Sequence, residues 1–150
     1  MKNILSLLIF LGVLIGPLQA QRLVEVGKGY SSTSVNTTVF RNSSLVTLGD
    51  KQYIAYYDAD GWMVIGSRLL KSDEWTLHRT QYKGNVKDAH NIISLMVDGD
   101  GYLHVAFDHH GHPLNYCRSI APHSLELGNK EPMIGENEKD VTYPEFYRLA

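Results

Sequence analysis

Apolar and polar residues alternate at a period of two through much of this chain, and turn residues cut the alternation into short runs. Leu103, Val105 and Phe107 fall on one face of such a run, with Tyr102, His104 and Ala106 on the other. Before it, Ile92 to Val97 is apolar and rich in β-forming residues. Asp98-Gly99-Asp100-Gly101 separates the two, a sequence that tolerates the positive φ of a tight hairpin. Asp108 to Pro113 reads as a second turn and Leu114 to Arg118 as a returning strand. The same order occurs earlier. Leu45 to Leu48, a turn at Gly49-Asp50, Tyr53 to Tyr57, a turn at Asp58 to Gly61 and Met63 to Ser67 follow one another, and Trp75 to Arg79 is an expected outer strand. No segment sustains a helical period.

The two sets are copies at a spacing of fifty. Ser44-Leu45 matches Ser94-Leu95, Gly49-Asp50 matches Gly99-Asp100, and Asp58, Gly61 and Arg68 match Asp108, Gly111 and Arg118. An antiparallel repeat of about 40–50 residues is the mark of a propeller blade. The expected fold is therefore all-β, a propeller fragment of two blades with a third opening at Val141 to Ala150. Propellers need about four to eight blades to close, so the expected arrangement is an N-terminal part, from Gln21 onward, of a ring that continues past Ala150. The alternative is a small two-sheet β domain. The recurring Asp50, Asp58, Asp100 and Asp108 are read as turn residues, and Arg68 and Arg118 as partners in blade-stabilising ion pairs.

Composition narrows the setting. Lys2 followed by an apolar run from Ile4 to Ile15, then Gly16-Pro17 and Ala20, has the layout of a secretory signal peptide over residues 1–20. The run is shorter than the roughly 20 residues that span a bilayer. The expected location is secreted or periplasmic, with no membrane attachment after cleavage. Charge is nearly balanced, 14 Lys and Arg against 16 Asp and Glu, with no basic run. That argues against nucleic acid as a partner. Cys117 is the only cysteine, so no internal disulfide can form. Asn36-Thr37-Thr38 and Asn42-Ser43-Ser44 are glycosylation sequons, relevant if the source is eukaryotic.

Candidate chemistry gathers on the histidines. Of seven, His90 lies in Asp88-Ala89-His90-Asn91, and three lie in Asp108-His109-His110-Gly111-His112-Pro113. His90 and His110 are twenty residues apart, a separation that brings both to one rim of a three-stranded meander. The matching positions of the first copy are Phe40 and Asp60, so the repeat itself does not require histidine there. Three readings stay open. The imidazoles can act as general acid or base. Asp108, His109, His110 and His112 offer metal ligands, though in no known zinc spacing. Or these are polar turn residues. His78, His104 and His123 are isolated and read as structural or solvated. The tyrosines and Trp62 suit either blade packing or sugar stacking.

The Asp88–Val105 and Asp108–Tyr116 stretches, with Val141-Thr142-Tyr143-Pro144-Glu145-Phe146, resemble the BNR-repeat-containing family of secreted propellers. That family includes seven-bladed polysaccharide lyases acting on ulvan, a sulfated polymer of rhamnose and uronic acid. The resemblance implies a polysaccharide substrate, no cofactor and no metal. It implies that His90 and His110 are catalytic and that Asn91 and His109 contact substrate. A tyrosine and an arginine of the same site would fall beyond Ala150. Two rival functions remain. A sialidase-like glycoside hydrolase would need an arginine cluster, and Asp58-Ala59-Asp60-Gly61-Trp62 resembles its Asp-box turn only loosely. A non-catalytic carbohydrate-binding propeller would keep its function without His90 and His110.

Overall fold

The computed structural model describes residues 22–38, 41 and 43–147. The predicted signal segment, Asn42 of the second sequon and residues 148–150 lie outside them. Among the described residues every regular element is a strand, and no helix is long and apolar enough to cross a membrane.

The first sheet is a four-stranded antiparallel meander: β1 (Leu45–Leu48), β2 (Lys51–Tyr57), β3 (Trp62–Leu69) and β4 (Thr76–Lys83), neighbouring in chain order. Leu48 pairs with Lys51, so Gly49-Asp50 is a two-residue loop. Gly49 has φ 59, the positive value that the first position of such a loop favours and a side chain resists. Asp58 shapes the next hairpin. Its Oδ1 accepts from the backbone N–H of Asp60 and of Trp62, both at 2.9 Å. Asn36 grips the end of β2 from outside. Its Nδ2 donates to the carbonyl of Tyr57 and its Oδ1 accepts from the Tyr57 N–H. The first sequon's amide is thus already engaged in the fold.

The second sheet holds β5 (Ile93–Val97), β6 (Leu103–Phe107) and β8 (Tyr116–Arg118), in the order β5-β6-β8. Its first hairpin uses the same turn chemistry as Asp58, with Asp98 Oδ1 accepting from Asp100 and Tyr102 at 2.9 Å. Between β6 and β8, where a turn was expected, the chain forms β7 (His110–His112). This strand leaves the sheet and pairs with β9 (Val141–Thr142). The segment expected to open a third blade therefore contributes two strand residues to this arm.

The two sheets share one core. Tyr53, Ala55, Tyr57, Met63 and Ile65 from the first meet Ile93, Leu95, Val97, Leu103, Val105, Phe107 and Cys117 from the second. The period-two faces of β2 and β6 account for this. Tyr53, Ala55 and Tyr57 alternate inward, as do Leu103, Val105 and Phe107. Burying each large apolar side chain contributes about 1.5–3 kcal/mol. A backbone bond from Leu95 N–H to the Ser43 carbonyl, at 2.6 Å, ties the sheets together. Gln81 and Tyr82 add side-chain bonds to the carbonyls of Leu127 and Gly128.

The recurring arginines work differently from the expectation. Among the described residues neither Arg68 nor Arg118 forms an ion pair. Arg68 lies over the ring of Trp75 and bonds Gln52, and Arg118 lies over Tyr102. An aromatic face attracts the flat guanidinium without desolvating a carboxylate. His104 and His123 are structural. His104 bridges the Tyr116 hydroxyl and Asp98, and His123 Nδ1 lies 2.8 Å from the Tyr53 hydroxyl.

Candidate active site

Two loops and the β7–β9 arm meet at one place. The turn from Asp88 to Asn91 is closed by the Asn91 N–H bonding the Asp88 carbonyl, and it leads into β5. The Asp88 side chain folds back over this turn. Its Oδ1 accepts from the backbone N–H of His90 at 3.0 Å and lies 2.6 Å from His90 Nδ1. Its Oδ2 lies 2.8 Å from Nδ1 of His110, the first residue of β7. One carboxylate thus holds both imidazoles. Their rings stack with centroids 4.2 Å apart and planes 28° from parallel.

Tyr143 forms the third side. It follows β9 directly, and its ring centroid lies 5.9 Å from that of His90 and 6.5 Å from that of His110. Its φ is 52, a left-handed conformation that is costly for a bulky residue. The arm fixes its place. Thr142 pairs with His110, and Thr142 Oγ1 accepts from the Gly111 N–H at 2.9 Å.

His90, His110 and Asp88 are partly open to solvent, with side chains 41%, 44% and 32% exposed. Three hydrogen bonds, the backbone one from His90 foremost and then those from the His110 and His90 rings, hold the Asp88 carboxyl well below the usual carboxylate range. It is ionised at neutral pH and can only accept hydrogen bonds.

The other two residues assigned by resemblance are enclosed. Asn91 is fully buried, and its Nδ2 donates to the Asn85 carbonyl. His109 is 1% exposed, and its Nε2 accepts from the Asn115 N–H at 2.7 Å. Burial, assisted by the charges of His112 and Lys130, lowers the His109 pKa to about 4. A substrate contact at either residue would require the fold to open, because neither presents a polar atom at the surface. The metal set considered from sequence does not converge as written. His109 is sealed, Asp108 Oδ1 accepts from Asn85 N–H, and His112 Nδ1 accepts from the His110 N–H. Among the described residues, Asp88, His90 and His110 are the group whose ligand atoms come within 4.8 Å of one another and could converge on a divalent cation. Asp88 is the residue that sequence reasoning passed over. Its position two before His90, in a turn, is the spacing at which an aspartate bonds its neighbours' backbone.

A family model described as BNR repeat-containing family member matches residues 51–150, which include β2 to β9 and all of this site. The chain belongs to that family. Two solved structures resemble the fold: a polysaccharide lyase described as a PL25 ulvan lyase, and the same kind of lyase bound to GlcA(1-4)Rha3S. Each aligns with a TM-score of 0.56 at 15% identity over 79% of this chain. The chain spans 30% of the length of either. No curated protein matches. As a member of the BNR-repeat family, the chain has two antiparallel propeller-type blade sheets, and the paired histidines sit at the edge of the second.

Proposed function

We propose that this chain carries part of the active site of an exported lyase, which cleaves uronate-containing, ulvan-like polysaccharide by β-elimination. The observation that carries the reading is the pair of stacked, accessible imidazoles on one ionised carboxylate, in a family fold similar to that of an ulvan lyase. The chemistry asks for such groups. The C5–H bond of the uronate breaks and its proton passes to a base. The released electron pair forms the C4–C5 double bond. The C4–O bond breaks, and the departing oxygen takes a proton from an acid. The sugar carboxylate makes the C5 proton reluctant to leave, so a donor must meet its charge. One histidine donating to the carboxylate through Nε2–H as an imidazolium, and the other taking part in proton transfer as a neutral ring, meet two of these needs. Tyr143 offers an aromatic face beside them for the sugar ring. Asn91 and His109 support the loops from the interior. The resemblance assigns a further tyrosine and arginine to residues after Ala150.

The test uses the protein as its full reading frame encodes it. Incubation with ulvan should generate the ultraviolet absorbance of the new C4–C5 double bond. His90→Ala and His110→Ala should each remove that signal, by a factor of 100 or more for a lost general acid or base, on the order expected for such groups. New reducing ends without absorbance would identify a hydrolase instead. Retention of the polymer without products would identify a binding propeller. Survival of the signal in both variants would overturn the assignment.

A further inference from the structure

Asp88 touches both histidines through the same ring nitrogen. His90 and His110 each turn Nδ1 toward it, one to each carboxylate oxygen, at 2.6 and 2.8 Å. An ionised carboxylate has no proton to give, so each Nδ1 must carry one. A neutral imidazole holds a single N–H, and the nitrogen opposite is then an acceptor. A solvated neutral imidazole ordinarily prefers the reverse arrangement, with the proton on Nε2. We propose that Asp88 is a positioning residue that fixes the tautomer of both histidines at once, so that the neutral rings present Nε2 as the proton-accepting atom. This deepens the elimination reading, on which its relevance to catalysis rests, because proton abstraction from C5 needs an acceptor nitrogen on a ring that cannot turn.

The local fold makes the device self-sufficient on one side. The His90 N–H holds Oδ1 within the Asp88–Asn91 turn itself. The second ring arrives from β7, whose position depends on the pairing of His110 with Thr142. The carboxylate is therefore held by its own turn as well as by the remote histidine. The stacking of the rings at 4.2 Å follows from sharing one acceptor. Asparagine could not replace Asp88. Its amide offers one acceptor oxygen and one donor NH2, so one of the two rings would have to present a lone pair at Nδ1 and move its proton to Nε2.

Long-range ¹⁵N–¹H correlation spectra of the full chain, free of substrate and treated with chelator, read the tautomer directly. His90→Gln and His110→Gln assign the two rings. The spectra are taken at a pH where both rings are neutral. Wild-type protein should show the Nδ1-protonated pattern for both. Asp88→Asn should return at least one ring to the Nε2-protonated pattern, and Asp88→Glu should keep the wild-type pattern. The Nε2-protonated pattern for either ring of the wild type would overturn the proposal, whether or not a variant folds. So would an Asp88→Asn spectrum identical to wild type. No sugar is present, so failure here is separate from failure of the lyase assay. If the lyase assay succeeds, Asp88→Asn should lower kcat at least tenfold with little change in KM, and Asp88→Glu should restore part of it.

Discussion

His109 and His110 are neighbours in the chain and occupy different media. His110 meets solvent and Asp88, whereas His109 is enclosed, with Nε2 bonded to the Asn115 N–H. Burial keeps the folded pKa of His109 near about 4, against 6.5 for the free side chain. Between those values the unfolded chain binds more protons than the folded one. The stability contribution is full above about pH 6.5 and is lost as pH falls toward 4, by up to roughly 3 kcal/mol. His109→Gln keeps an acceptor near the Nε2 position and removes the titration. Urea midpoints measured from pH 7 to pH 4 should fall less steeply for this variant than for wild type. Equal slopes would locate the acid sensitivity elsewhere. The sequence presented all four histidine-motif residues as one polar cluster and gave no sign of which ring turns inward. That choice depends on β7 leaving the sheet, which a local alternation of residues does not encode. Asp88 was legible in principle, because its partner is two residues away. Its second partner, His110, becomes visible only in three dimensions.

At the scale of elements, the apolar and alternating runs predicted β1, β2, β3, β5 and β6 closely, since β2, β3, β5 and β6 each carry a buried stretch and β1 alternates exposed with half-buried positions. They failed at β7. His110-Gly111-His112 is exposed throughout and has no apolar face to announce a strand. Its partner, Val141–Thr142, lies about thirty residues away, and such pairing leaves no local trace. The arm has a weak point. Gly111 has φ 69, and its N–H bonds Thr142 Oγ1. Gly111→Ala forces a side chain into a left-handed conformation that costs about 1–2 kcal/mol. The cost should fall on the arm and leave the two sheets intact. The expected result is loss of nuclear Overhauser contacts between Tyr143 and the two histidine rings, with the β2 and β6 amide shifts unchanged. Retained ring contacts would mean that Tyr143 is held by something other than the arm.

Over the whole molecule, the shared core makes the two sheets one cooperative body. Leu95 is fully buried between them, and its backbone N–H crosses to Ser43. Leu95→Ala should cost about 2–5 kcal/mol. Trp62 and Trp75 both belong to the first sheet or its approach to β4, so their fluorescence reports that sheet alone. Denaturation followed by tryptophan should nevertheless shift by the full amount seen by circular dichroism. A tryptophan transition that stays in place would divide the molecule into two independent units. The spacing of fifty aligned the strands of the two copies correctly, and the shared core explains why their apolar positions recur. The acidic turns keep a different count. The hairpin held by Asp58 joins β2 to β3, whereas the one held by Asp98 joins β5 to β6, the counterpart of β1 and β2. At a shift of fifty, Asp98 corresponds to Leu48, and Asp108 bonds Asn85 instead of capping a hairpin of its own. The Asp-x-Asp-Gly loop therefore sits at a different corner of each blade, and a repeat unit counted from these loops begins one hairpin away from a unit counted from the strands.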